Sequence, residues 1–122
     1  MMAATGASGK TIIEGAAMEP EVVDVANFLI KCGANIKGTG TPIIEIKGRK
    51  KLTGTEHTII PDRIEAGTFL MAAAITKGTV MLKECEPEHL TALINLLTEH
   101  GARIQAKKHT IHITAAKAPK PL

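Results

Sequence analysis

The stretch EPEVVDVANFLIKCGANI at residues 19 to 36 returns, with altered side chains, as EPEHLTALINLLTEHGARI at residues 86 to 104. Aligned on Gly33 and Gly101, an offset of 68 residues, Val22, Val25, Ala26 and Leu29 meet Leu90, Leu93, Ile94 and Leu97. Each set keeps the i, i+3, i+4, i+7 spacing that lays one apolar stripe of a helix on a core. Pro20 and Pro87 suit a first helical position, and Glu21 and Glu88 bring negative charge to the positive end of the helix dipole. Gly33 and Gly101 suit the left-handed residue just past a helix end. A chain that repeats its starts, faces and stops in this way is built from copies of one unit.

The flanks repeat too. GKTII (9 to 13) and GTVML (78 to 82) read as short strands after a glycine, and ANIKG matches ARIQA. IIEI (43 to 46) and TIHI (110 to 113) alternate as strands with one buried face do. HTII (57 to 60) reads as a further strand, and PDRIEAGTFLMAAAITKG as a helix with Asp62 as N-cap, Glu65 completing a capping box and Gly78 closing it. The expected fold class is α+β, tandem βαβαββ units, the second complete over about residues 57 to 114 and the first incomplete. The first copy opens on MMAATGASG, which aligns with the tail of the long helix and has no start signal, as in a piece of a longer repeat protein.

A chain of 122 residues can bury a real core, and with 44% apolar residues but only Phe28 and Phe69 as aromatics that core must be aliphatic. The net charge of +3 is spread: residues 1–60 carry 7 basic and 6 acidic side chains, residues 61–122 carry 8 and 6. Only Arg49-Lys50-Lys51 forms a run, of the kind that usually sits in a solvated loop. With no basic face and no stacking platform, nucleic acid is not an expected partner. Cys32 and Cys85 read as reduced, packed thiols. No apolar run approaches the ~18 residues of a membrane span, so a cytoplasmic protein without a membrane partner is expected.

ATGASGKT (Ala4 to Thr11) satisfies the relaxed phosphate-loop pattern, but that mechanism needs a strand before the loop and a helix after it. Here the repeat assigns a helix end before and a strand after. His109 and His112, three apart on a strand, point to opposite faces, and His57, His89 and His100 have no acidic or Cys partner in ligand spacing. The histidines are expected at the surface or at helix ends, with no metal site.

EPEVVDVANFL, GANIKGTGT, IPDRIEAGTFLMAAA and PEHLTALINLL together closely resemble the central part of the UDP-N-acetylglucosamine 1-carboxyvinyltransferase (enolpyruvyl transferase) family, over Met1 to about Ile113. PDRIEAGTF is the most specific segment. The resemblance implies six βαβαββ units in two three-unit globular domains, an inside-out α/β barrel with helices turned inward. Residues 1–60 would be the C-terminal part of one globular domain, residues 61–122 a unit of the other, with Ile60-Pro61 at a hinge. It implies transfer of the enolpyruvyl group of phosphoenolpyruvate to the 3-hydroxyl of UDP-N-acetylglucosamine, in peptidoglycan synthesis, without a cofactor. The family's catalytic cysteine loop, GGCxIGxRP, does not occur in this sequence, and neither Cys32 nor Cys85 matches it. The lysine-asparagine pair and the later aspartate of the family are also missing, so this stretch by itself is not expected to turn over substrate.

By the same resemblance Arg63 and Glu19 match positions that line or close the nucleotide-sugar cleft in the family, with Asp62 beside them. Plain structural roles compete: Asp62 as N-cap, Glu19 as a helix-start charge, Arg63 as a first-turn surface residue. The partners implied are the two substrates and the remaining repeat units. Without those units the apolar helix from Arg63 to Lys77 is expected to drive self-association. A second reading, a stand-alone RNA-binding module, rests on the same fold and the mildly basic pI, a weak warrant.

Overall fold

The computed structural model describes residues 1–115 and divides the chain into two compact units, Met1–Ile60 and Pro61–Leu122. The first contains α1 (Met2–Gly6), β1 (Lys10–Glu14), α2 (Pro20–Lys31), β2 (Asn35–Lys37) and β3 (Ile43–Lys47). The second contains α3 (Arg63–Ile75), β4 (Thr79–Lys83), a 3₁₀ turn (Pro87–Leu90), α4 (Thr91–Glu99), β5 (Arg103–Lys107) and β6 (Thr110–Thr114). In each, the last strand lies in the middle of an antiparallel sheet, β1-β3-β2 and β4-β6-β5. The central strand is therefore the one most deeply covered. Ile44 and Ile46 of β3, and Ile111 and Ile113 of β6, are buried, while their neighbours in sequence face outward.

In the first unit these isoleucines pack with Ala26, Leu29, Ala34 and Ile36. In the second they pack with Ala66, Leu70, Ala73, Ala74, Cys85, Leu90 and Leu97. Small residues on α3 let it approach closely: a Cβ on Gly67 would lie 3.1 Å from Leu93 Cδ2 and 3.5 Å from Leu90 Cδ2. The expected stripe on α2 holds for Ala26 and Leu29, with Val22 packed against the cluster, but Val25 is exposed. Val25 turns instead toward grooves at the edge of the core.

Three expectations are corrected. The strand at His57–Ile60 does not form: residues 51–62 run without regular structure, because no neighbouring strand offers them a ladder. Each described unit is thus αβαββ. The two repeated helices also start differently. Thirteen residues lead from Pro20 to Gly33 and fourteen from Pro87 to Gly101, and the extra residue is absorbed as a 3₁₀ turn ending near Leu90 (φ −117°, ψ 10°). Finally, Gly78 is not the left-handed residue that closes α3. That residue is Lys77, at φ 57°.

All three long helices nonetheless end alike. The amide two residues past the C-cap donates to the third-last helical carbonyl in Ala34→Leu29 (2.9 Å), Gly78→Ala73 (2.8 Å) and Ala102→Leu97 (3.0 Å), while Gly33, Lys77 and Gly101 take the left-handed position. A lysine there carries strain that glycine avoids. Lys77→Gly should raise stability by about 1 kcal/mol, and Gly33→Ala or Gly101→Ala should lower it by about 1–2 kcal/mol. Urea midpoints at constant slope check both signs.

Candidate functional site

Of the three residues singled out for the cleft, two are adjacent. Asp62 (φ −72°, ψ 106°) caps α3, its Oδ1 accepting from the amides of Ile64 at 2.7 Å and Glu65 at 3.1 Å. Among the described residues the Glu65 side chain returns no bond to Asp62, so half of the capping box forms. The cap leaves the second carboxylate oxygen of Asp62 outside these two bonds. Arg63, half-buried, is the first residue of the same helix. A guanidinium at a helix N-terminus opposes the dipole, so its place there is not one that helix stability selects.

Glu19 lies in the other unit, at the N-cap of α2. Its carbonyl accepts from Val22 (2.9 Å) and Val23 (3.2 Å), but its exposed carboxylate makes no cap bond. The repeated counterpart behaves differently: Glu86 Oε1 pairs with His109 Nδ1 at 2.9 Å. The two copies of EPE therefore diverge, one carboxylate engaged on a hairpin and the other presented to solvent.

The phosphate-loop pattern takes no anion-binding form. Ala4–Thr11 runs from α1 through a turn into β1, and Lys10 Nζ meets Glu45 Oε2 at 2.9 Å, holding the Glu45 carboxyl below its usual value.

A further cluster escaped sequence reasoning. His57 Nε2 meets Asp24 Oδ1 at 2.9 Å, with side chains 9% and 13% exposed. The Phe28 ring stands edge-on to the imidazole, centroids 5.6 Å apart. Together with Val25, Thr55 and Ile59 these residues line a groove of about 320 Å³. Among the described residues His57 Nδ1 is buried without a hydrogen-bond partner. The surface placement expected for His57 is thus overturned, because its acidic partner lies 33 residues away, beyond any ligand-spacing rule. The readable signal was Asp24 itself, a carboxylate between Val23 and Val25 and four residues before Phe28 on α2. His100 does sit at a helix end, Nδ1 donating to the Leu96 carbonyl at 2.8 Å.

Both thiols are buried. Burial, more than the nearby Glu86 charge, pushes the Cys85 thiol above its ordinary value. A raised folded value favours the neutral thiol, so this contribution to stability is full below the unfolded thiol value and is lost as pH rises through the folded one. Native chain should therefore react with a disulfide reagent far more slowly than unfolded chain, and Cys85→Ala should flatten the alkaline limb of the stability profile. Equal reactivity before and after denaturation would contradict this.

The profile of the EPSP synthase (3-phosphoshikimate 1-carboxyvinyltransferase) family matches residues 1–122. The chain belongs to the EPSP synthase family. Within that family it is 54% identical over 117 residues to the UDP-N-acetylglucosamine 1-carboxyvinyltransferase 1 of Caldanaerobacter subterraneus subsp. tengcongensis, covering 96% of this chain and 28% of the relative. To the UDP-N-acetylglucosamine 1-carboxyvinyltransferase of Bdellovibrio bacteriovorus it is 54% identical over 113 residues (93% and 27%). To that of Koribacter versatilis it is 47% identical over 121 residues (99% and 28%). The crystal structure of the enolpyruvyl transferase NikO from Streptomyces tendae superposes with a TM-score of 0.77 at 23% identity, covering 92% of this chain and 28% of that one, a likeness of fold. This member of the EPSP synthase family thus spans little more than a quarter of the relatives it matches. Among its described residues no helix is long and apolar enough to cross a membrane.

Proposed function

We propose that the chain is a segment of a UDP-N-acetylglucosamine 1-carboxyvinyltransferase, an enzyme that moves the enolpyruvyl group of phosphoenolpyruvate to the sugar 3-hydroxyl and releases phosphate. The observation that carries this is the 47–54% identity, over nearly the whole chain, to three enzymes of that name. The reaction needs an acid to protonate the enol, cations to hold phosphate and carboxylate, and a base at the hydroxyl. None of these is assigned to this chain. Its share is the sugar-nucleotide side of the cleft, through Arg63, with Glu19 and Asp62 as accessory groups. Two features favour that share: a guanidinium where helix electrostatics disfavours one, and a helix-start carboxylate spared from capping.

Residues 1–60 belong, in this reading, to the end of one globular domain and residues 61–122 to the other, in a cytoplasmic enzyme of peptidoglycan synthesis. The RNA-binding reading has less in its favour, since Phe28 and Phe69 both lie on helices and leave no Phe, Tyr or Trp on the described sheets for a base to stack on. The test is phosphate release from the two substrates by the chain extended with its flanking units. Arg63→Ala should raise KM for UDP-N-acetylglucosamine by about 10- to 100-fold, the worth of a charged hydrogen bond. An unchanged KM would remove Arg63 from the cleft.

A further inference from the structure

Residues 51–60 have no sheet to hold them, so their course depends on a few anchors. Leu52 packs against the core of the first unit. The Thr53 amide and hydroxyl both donate to the Cys32 carbonyl, at 2.9 and 3.2 Å. His57, bound to Asp24 at 2.9 Å, stands five residues before Asp62.

An imidazole is a costly choice for that position if packing is its only task. Its Nδ1 is buried and unpartnered, a penalty that a leucine of similar volume would not carry. What the polar pair adds is direction. The Asp24 carboxylate selects the tautomer with hydrogen on Nε2, and the Phe28 edge sets the ring plane at 62°. Paired polar groups of this kind specify a geometry more than they add stability.

We propose that His57 and Asp24 form a strap that fixes the segment leading into Asp62 and Arg63, and that they serve as positioning residues for the sugar-nucleotide contact. The positioning half of the proposal rests on the cleft role given to Arg63; the strap does not.

Two measurements separate these parts. In the 122-residue chain, His57→Ala and Asp24→Leu should speed hydrogen exchange at the Thr53 amide by about tenfold or more, leaving the β3 amides of Ile44 and Ile46 unchanged. Asp24→Asn, which retains an oxygen acceptor for Nε2–H, should keep the protection. Unaltered Thr53 exchange in both disruptive variants overturns the strap, and faster exchange throughout the first unit shows a merely structural role and overturns it as well. In the extended enzyme, Asp24→Leu should raise KM for UDP-N-acetylglucosamine by roughly five- to tenfold with kcat within about twofold, and Asp24→Asn should restore it. A loosened strap with unmoved KM overturns the positioning role. Absence of turnover by the unsubstituted extended chain overturns the functional reading and the positioning role with it, while exchange still decides the strap.

Discussion

Gly48→Ala is expected to break the closure of the first unit. The Gly48 amide donates to the Gly9 carbonyl at 3.0 Å, and the next amide, of Arg49, donates to the Thr5 carbonyl at 2.8 Å, so the end of β3 is sewn to α1 and the turn after it. A Cβ on Gly48 would fall inside the radius of the Ala7 carbonyl oxygen, with the Ala7 carbonyl carbon and the Ala4 oxygen close behind. All of these are backbone atoms, so no rotamer change makes room. The strand end must move away and lose both hydrogen bonds, at a cost of about 3–5 kcal/mol, comparable with the whole stability of a unit of this size. The control is Gly54→Ala, whose Cβ meets nothing within 4 Å and whose φ is not left-handed. It should be neutral or stabilising by up to about 1 kcal/mol. Circular dichroism during urea unfolding distinguishes them, and a Gly48→Ala midpoint matching the parent would show that the close approach is not what holds α1 in place.

Self-association of the 122-residue chain is the second large effect expected. Phe69, Met71 and Ile75 are exposed on α3, Ile75 at 72%, and Val25, Phe28 and Ile30 are exposed on α2. These are helix faces; the outer sheet faces mix Lys10, Lys83, Arg103 and Lys107 with the exposed Ile12, Ile43 and Met81. Helices with apolar outer faces are the pattern of units that bury helices against other copies. With the chain spanning 28% of its relatives, the missing copies are the proposed covering, and in their absence other molecules of the chain take their place. Sedimentation should give a mass well above 12.9 kDa across the micromolar range. Phe69→Glu with Ile75→Glu removes two apolar side chains worth about 3 kcal/mol together, enough to weaken association roughly hundredfold. A monomeric parent chain that binds no hydrophobic dye would sink the idea.

Where the sequence was legible, the signal was local. The left-handed glycines Gly33 and Gly101, the Asp62 cap and the alternation of TIHI each depend on residues within a few positions of one another, and each formed as expected. HTII misled because a β-branched run has strand propensity wherever it stands, while a strand also needs a neighbour. The start of α4 misled because one extra residue between Pro87 and Gly101 changes helical phase without changing the motif at either end. At the candidate site, Asp62 and Arg63 were legible as a segment. The Asp24–His57 pair was not, since nothing in its 33-residue separation marks a contact.

The repeat, the stops of α2 and α4, the aliphatic core and the family were all legible along the chain, because these follow from residue types at short, fixed spacings or from identity along the chain. It is packing that puts β3 and β6 at the centre of their sheets, brings Glu86 to His109 while Glu19 is left uncapping, and ties the connecting segment to α2 through a buried imidazole. Those outcomes depend on which distant segments are brought within hydrogen-bond reach of about 3 Å, a distance set by packing and not by sequence spacing.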